Sequence, residues 1–153
     1  MKKRALFIIS IVLSIDLLSK FLVFKYVTFG SSKIIIKNFF KILPVKNTGA
    51  AFSFFDNNNI LLILISLGIL IYLIYYFRTI KSTFVSDFSC GLLIGGLLGN
   101  LFDRIFLSYV RDFFSFKLFK WNFAIFNVAD IAIVIGAFIL LLLLVKGCSK
   151  NDN

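Results

Sequence analysis

Four aspartates, Asp16, Asp103, Asp112 and Asp130, lie in or beside long apolar stretches, and they make up four of the seven acidic residues in the chain. A carboxylate in such a setting is costly unless it faces a protein interior or polar cavity, where it usually carries function. Asp130 is the clearest case: it closes Phe126-Asn127-Val128-Ala129-Asp130 and opens an uncharged apolar run from Ile131 to Val145. Two carboxylates brought close cannot both ionise readily, so one keeps a proton while the other serves as a base. Such a pair activates water with one member and polarises a scissile carbonyl with the other, with no metal or covalent intermediate. Histidine is absent, which removes Ser-His and Cys-His catalysis, zinc peptidases of the H-E-x-x-H kind and most zinc sites. Any hydrolase built on this chain runs on carboxylates, or on Ser with Lys. Cys90 and Cys148 have no metal-ligand spacing around them, and neither a metal nor a cofactor is expected.

The elements that must position these residues read as membrane spans. The chain has 153 residues, 60% of them hydrophobic, and a mean hydropathy of +1.00; a soluble domain is roughly half apolar. Four windows approach the ~20 residues needed to cross a ~30 Å hydrocarbon layer: residues 5–24, 60–77, 88–107 and 123–145. The expected fold is an all-α polytopic membrane protein, a single domain over residues 1–153, with outer segments at 25–59 and 108–122. Met1-Lys2-Lys3-Arg4 imitates the start of a secretory signal, but Asp16 and Lys20 interrupt the apolar run and no small-x-small pattern follows, so a retained first helix is expected. An even number of spans behind a basic start puts both termini in the cytoplasm. The raw count of loop charges runs the other way, with Lys25, Lys33, Lys37, Lys41, Lys46, Lys117 and Lys120 in the outer segments; the compact cluster ahead of the first span decides the assignment. A net charge of +10 suits anionic lipid headgroups. Dispersal of the basic residues among the spans argues against nucleic acid as a partner.

Depth along the spans gathers the polar residues. At about 1.5 Å of rise per residue, Asp16 lies roughly 18 Å, Asn100 and Asp103 roughly 20 to 24 Å, and Asp130 roughly 24 Å from the inner face, all in the outer half. Each motif also has a plainer explanation. Asp16 and Lys20, at i and i+4, suit a self-neutralising pair with the lysine snorkelling outward. Gly95 and Gly99 suit tight helix packing, which leaves Asn100, Asp103 and Arg104 as a hydrogen-bonding face, Arg104 being a candidate ligand for a carbonyl or phosphate oxygen. Arg111 beside Asp112 suits a solvated surface pair, and Asn127 with Asp130 suits helix capping. In the first outer segment, the β-branched and aromatic residues of 33–45 predict a small strand pair at the membrane surface, followed by a turn of small residues, Asn47-Thr48-Gly49-Ala50-Ala51-Phe52. The second is aromatic and basic, suited to the interface.

Taken in order, D-L-L-S-K (16–20), N-T-G-A-A-F-S-F (47–54), G-G-L-L-G-N-L-F-D-R (95–104), V-R-D-F (110–113) and F-N-V-A-D (126–130) resemble the lipoprotein signal peptidases, or signal peptidase II. The resemblance implies an aspartic endopeptidase of the bacterial cytoplasmic membrane that cuts prolipoproteins before a diacylglyceryl-modified cysteine, with membrane lipids around it and globomycin-type inhibitors as ligands. It implies Asp112 and Asp130 as the catalytic pair, near the extracytoplasmic face. Asn47, Gly49, Asn100, Arg104 and Asn127 become substrate- or inhibitor-binding residues, and Asp16, Lys20 and Asp103 structural supports. The first outer segment becomes a small β-cradle and the second a mobile lid. Arg111 departs mildly from the commoner apolar residue and is expected to shift the proton affinity of Asp112. A monomer suffices for this chemistry. The competing reading is a small proton- or ion-coupled transporter, since intramembrane carboxylates also mark proton relays; no internal repeat of the transporter kind is present.

Overall fold

The structure is a computed structural model that describes residues 3–49, 58–119, 121–145 and 147. Residues 50–54 of the second block, and the basic residues Lys2, Lys120, Lys146 and Lys150, lie outside them. Helices α1 (Lys3–Tyr26), α2 (Asn59–Thr79), α3 (Phe84–Leu107) and α4 (Val128–Val145) are each long and apolar enough to cross a membrane. Strands β1 (Lys33–Ile36), β2 (Phe40–Asn47), β3 (Val110–Leu118) and β4 (Trp121–Asn122) form one antiparallel sheet in that order. Phe7, Ile71 and Val134 are among many large apolar side chains left exposed on the spans, as lipid-facing helices require.

α3 is the hub of the bundle. It packs on α1, α2 and α4, whereas α2 packs on α3 alone among the described helices. Small residues permit the close approach. A Cβ on Gly95 would lie 2.8 Å from Val12 Cβ on α1, and one on Gly96 would lie 2.6 Å from the Ala129 carbonyl oxygen on α4. Away from the sheet, Ala5, Ile9, Leu73, Cys90, Leu93 and Ile94 form the apolar core.

The sheet draws on both outer segments. α3 ends at Ser108, whose left-handed backbone (φ 66°) caps the helix through its N–H to the Arg104 carbonyl at 3.2 Å. The chain then turns directly into β3, which pairs with β2, setting Val45 opposite Asp112 and Asn47 opposite Val110. Phe40, Phe116 and Phe126 stack in succession, with ring centroids 4.5 and 5.7 Å apart. The second outer segment therefore contributes β3 and β4 to the same sheet as the first. The fourth span is shorter than hydropathy indicates: it begins at Val128, not Phe123. Phe126 exchanges backbone hydrogen bonds with Phe114 at 2.8 and 3.2 Å, so tertiary strand pairing claims residues that are apolar enough for the helix.

Candidate active site

Strand alternation points Asp112 and Arg111 to opposite faces of β3. The Asp112 carboxylate is only 2% exposed. Its Oδ2 accepts a hydrogen bond from Asn47 Nδ2 at 2.8 Å, and its Oδ1 accepts one from Asn127 Nδ2 at 2.6 Å. Asn47 cannot turn its amide over without loss, because its Oδ1 accepts the Gly49 N–H at 3.0 Å. Arg104 closes the same corner, donating from Nη2 to the Gly49 carbonyl at 3.3 Å.

Asp130 is held with equal completeness. Asn127 and Asp130 form a reciprocal cap on α4: Asn127 Oδ1 accepts the Asp130 N–H at 3.0 Å, and Asp130 Oδ2 accepts the Asn127 N–H at 3.1 Å. Asp130 Oδ1 accepts from Asn100 Nδ2 at 2.7 Å. Capping and site formation are thus one arrangement here. Asn127, itself fully buried, contacts both carboxylates and also donates to Asn100 Oδ1 at 3.1 Å.

Behind these groups lies a buried ionic cluster. Lys20 Nζ is 2.7 Å from Asp16 and 3.4 Å from Asp103, and all three side chains are fully buried. The lysine therefore does not snorkel outward; it turns into the bundle and donates to Asn100 Oδ1 at 3.0 Å. Asp103 also receives the Arg111 guanidinium at 2.7 Å and the Arg111 backbone N–H at 3.0 Å, which ties β3 to α3. Arg111 is thus neither a solvated partner of Asp112 nor a group that tunes it.

Burial, and secondarily the Asp130 charge, push the Asp112 carboxyl up to about 7; the Asn47 and Asn127 donors and the Lys20 charge pull the other way. An acid near neutrality beside a second carboxylate is the environment in which one proton serves two groups. No cluster of three or more metal-ligating His, Cys, Asp or Glu occurs among the described residues. Along α4, a groove of about 340 Å³ is lined by Phe126, Asp130, Ile131, Val134 and Ile135, with Asp130 its single polar lining residue.

The structure thus gathers Asn47, Gly49, Asn100, Arg104, Asp112, Asn127 and Asp130 in one place, with Asp16, Lys20 and Asp103 directly behind. Sequence reasoning missed Asn59, whose amide donates to the Arg104 carbonyl at 2.9 Å, and the backbone N–H of Ala129, which donates to Asp16 at 2.9 Å. An Asn at a helix start was a signal for the first. A backbone donor leaves none.

These features define a polytopic membrane protein whose buried polar centre opens onto an apolar groove. The family model for signal peptidase (SPase) II matches residues 8–146. The lipoprotein signal peptidase of Caldanaerobacter subterraneus subsp. tengcongensis is 39% identical over 144 residues, spanning 94% of this chain and 97% of that one. That of Halothermothrix orenii is 40% identical over 138 residues, spanning 90% and 92%. A solved bacterial membrane enzyme superposes with a TM-score of 0.85 at 29% identity, covering 97% of this chain and 92% of the other. The chain belongs to the signal peptidase II family and is a multi-pass bacterial membrane peptidase. The transporter reading finds no support.

Proposed function

We propose that this protein is an aspartic endopeptidase that removes signal peptides from diacylglyceryl-modified prolipoproteins, with Asp112 and Asp130 as its catalytic pair. The observation that carries the reading is the linkage of two carboxylates through one buried residue, Asn127, whose side-chain amide donates to Asp112 and whose backbone N–H donates to Asp130, in a chain without histidine. The protonated member is Asp112, whose affinity for a proton reaches into the neutral range. It donates a hydrogen bond to the scissile carbonyl oxygen while Asp130, as carboxylate, takes a proton from the attacking water. Hydroxide adds to the carbonyl carbon, and the Asp112 proton passes to the carbonyl oxygen, giving a neutral diol. Asp130 then delivers its proton to the amide nitrogen and the carbon–nitrogen bond breaks. Asp112 recovers its proton from a diol hydroxyl, leaving a carboxylic acid and an amine.

The apolar groove below Asp130 suits a signal segment lying along α4, with its cleavage point at the level of the carboxylates. Arg104, beside the Asn47–Gly49 corner, has donors to spare for substrate carbonyls. Globomycin-type inhibitors would compete for the same corner. A lipid-bearing cysteine stays near the headgroups, which agrees with a site at the outer face and both termini in the cytoplasm. A monomer is sufficient. The test is cleavage of a purified diacylglyceryl prolipoprotein by Asp112→Asn and Asp130→Asn, each reconstituted and shown to be folded. Both lose cleavage on this account; full activity in either rejects the pair.

A further inference from the structure

Burying an ammonium between helices α1 and α3 is expensive, and a buried ion pair is a poor source of net stability compared with apolar packing. Lys20 is nonetheless fully buried, and its contacts give the placement a purpose. An ammonium offers three donors and no acceptor. Nζ donates to Asn100 Oδ1 at 3.0 Å and makes ion-pair contacts with Asp16 at 2.7 Å and Asp103 at 3.4 Å. Because Lys20 can only donate, the Asn100 atom that faces it must be the carbonyl oxygen. The Asn100 Nδ2 donor is thereby aimed at Asp130 Oδ1, 2.7 Å away. The opposite orientation would press an N–H against the ammonium and a carbonyl oxygen against a carboxylate. Asn127 Nδ2 donates to the same Asn100 oxygen at 3.1 Å, so Lys20 and Asn127 together hold the amide in this orientation.

The same cluster fixes the element that carries Asp130. Asp16 accepts the Ala129 N–H at 2.9 Å, at the start of α4. Asp16 and Asp103 are balanced in charge by Lys20 and Arg111, so the cluster as a whole is neutral.

We propose that Lys20 is a positioning residue for peptide hydrolysis: through the Asn100 amide it directs a fixed hydrogen-bond donor onto the Asp130 carboxylate and so sets which face of that carboxylate remains free for water. Lys20 itself touches neither water nor substrate. The inference rests on the Asp112–Asp130 reading above.

The test removes the donor without leaving an unbalanced buried charge. In Asp16→Asn/Lys20→Met the asparagine oxygen still accepts the Ala129 N–H, and Asp103 keeps Arg111, so the cluster stays neutral. In Asp16→Asn/Lys20→Gln a side-chain amide donor returns to the same place. Both are purified in full length, matched by folded fraction, and assayed for kcat and KM on a diacylglyceryl prolipoprotein. The Met variant loses about ten- to hundredfold in kcat, the scale of one hydrogen bond to a charged group, with KM little changed, and the Gln variant recovers most of it. Equal kcat in the two variants per folded molecule, or a loss confined to KM, overturns the proposal and leaves Lys20 a purely structural residue. Asp130→Asn assayed alongside separates the two failures. If that variant is active, the catalytic reading itself falls; if it is inactive while the Met and Gln variants match, only the role of Lys20 falls.

Discussion

Asp112→Asn is expected to make the protein more resistant to unfolding at pH 8 while making it no more stable, or slightly less so, at pH 4. In the fold the Asp112 carboxyl titrates near 7, against an ordinary value of 3.8. The folded state therefore holds this proton more tightly than the unfolded chain does. Stability contributed by the group falls as pH rises between those values, and the penalty is complete once the folded group has ionised. About three units at ~1.4 kcal/mol each give a penalty on the order of 4 kcal/mol above neutrality. The substitution removes that penalty but spoils one contact. The new amide oxygen satisfies either Asn47 or Asn127, and the new NH2 meets the other donor, at a cost of about 1–2 kcal/mol. The net gain at pH 8 is then roughly 2–3 kcal/mol, or about 4–12 °C for a chain of this size. At pH 4 only the lost contact remains, and the sign reverses. Differential scanning calorimetry reads apparent Tm in detergent, at one scan rate throughout. A difference in Tm that stays constant from pH 4 to 8, or a variant less stable at pH 8, refutes the burial argument for Asp112.

Other consequences follow from single contacts. Asn47→Ala removes a donor that favours the ionised form of Asp112, so the alkaline limb of the rate–pH profile moves upward by about one unit; a profile that stays in place contradicts that hydrogen bond. Gly96→Ala brings a Cβ within 2.6 Å of the Ala129 carbonyl oxygen, whereas Gly68→Ala meets nothing within 4 Å. The first is expected to cost about 1–3 kcal/mol of stability and the second to be neutral or better, as read by the same thermal assay. Arg104→Lys keeps the charge but loses the planar fork, and is expected to raise KM roughly tenfold while kcat changes less; unchanged kinetics would remove Arg104 from substrate binding.

The spans were legible because hydropathy is a local property: a membrane helix satisfies its own backbone, so its residues declare it. The start of α4 was not, since Phe123 to Phe126 are apolar for the sake of strand pairing and ring stacking, which only the folded sheet specifies. The convergence of Asn100, Asp103 and Asp130 could be reasoned from rise per residue alone. Depth along a helix does not fix direction around it, and so Lys20 was expected to reach outward when it in fact turns inward. Arg111 misled for a related reason. Adjacency in sequence suggested a pair with Asp112, but strand alternation sends neighbouring side chains apart, and Asp103, eight residues earlier on another element, is its partner. Choosing Asp112 over Asp103 as the second member of the pair rested on resemblance. In the fold, Asp103 is already matched by Lys20 and Arg111, while Asp112 has only neutral amide donors.

A double-mutant comparison bears most directly on whether the acids at 112 and 130 work as one unit. Single-turnover cleavage of a diacylglyceryl prolipoprotein is measured for Asp112→Asn, Asp130→Asn and the two combined, each corrected for folded fraction. If both oxygen pairs serve the same transition state, either change alone abolishes nearly all of the rate and the combination is no slower than the worse single variant. Losses that multiply, or one variant that cleaves at the parental rate, would mean that the two side chains do not share the reaction.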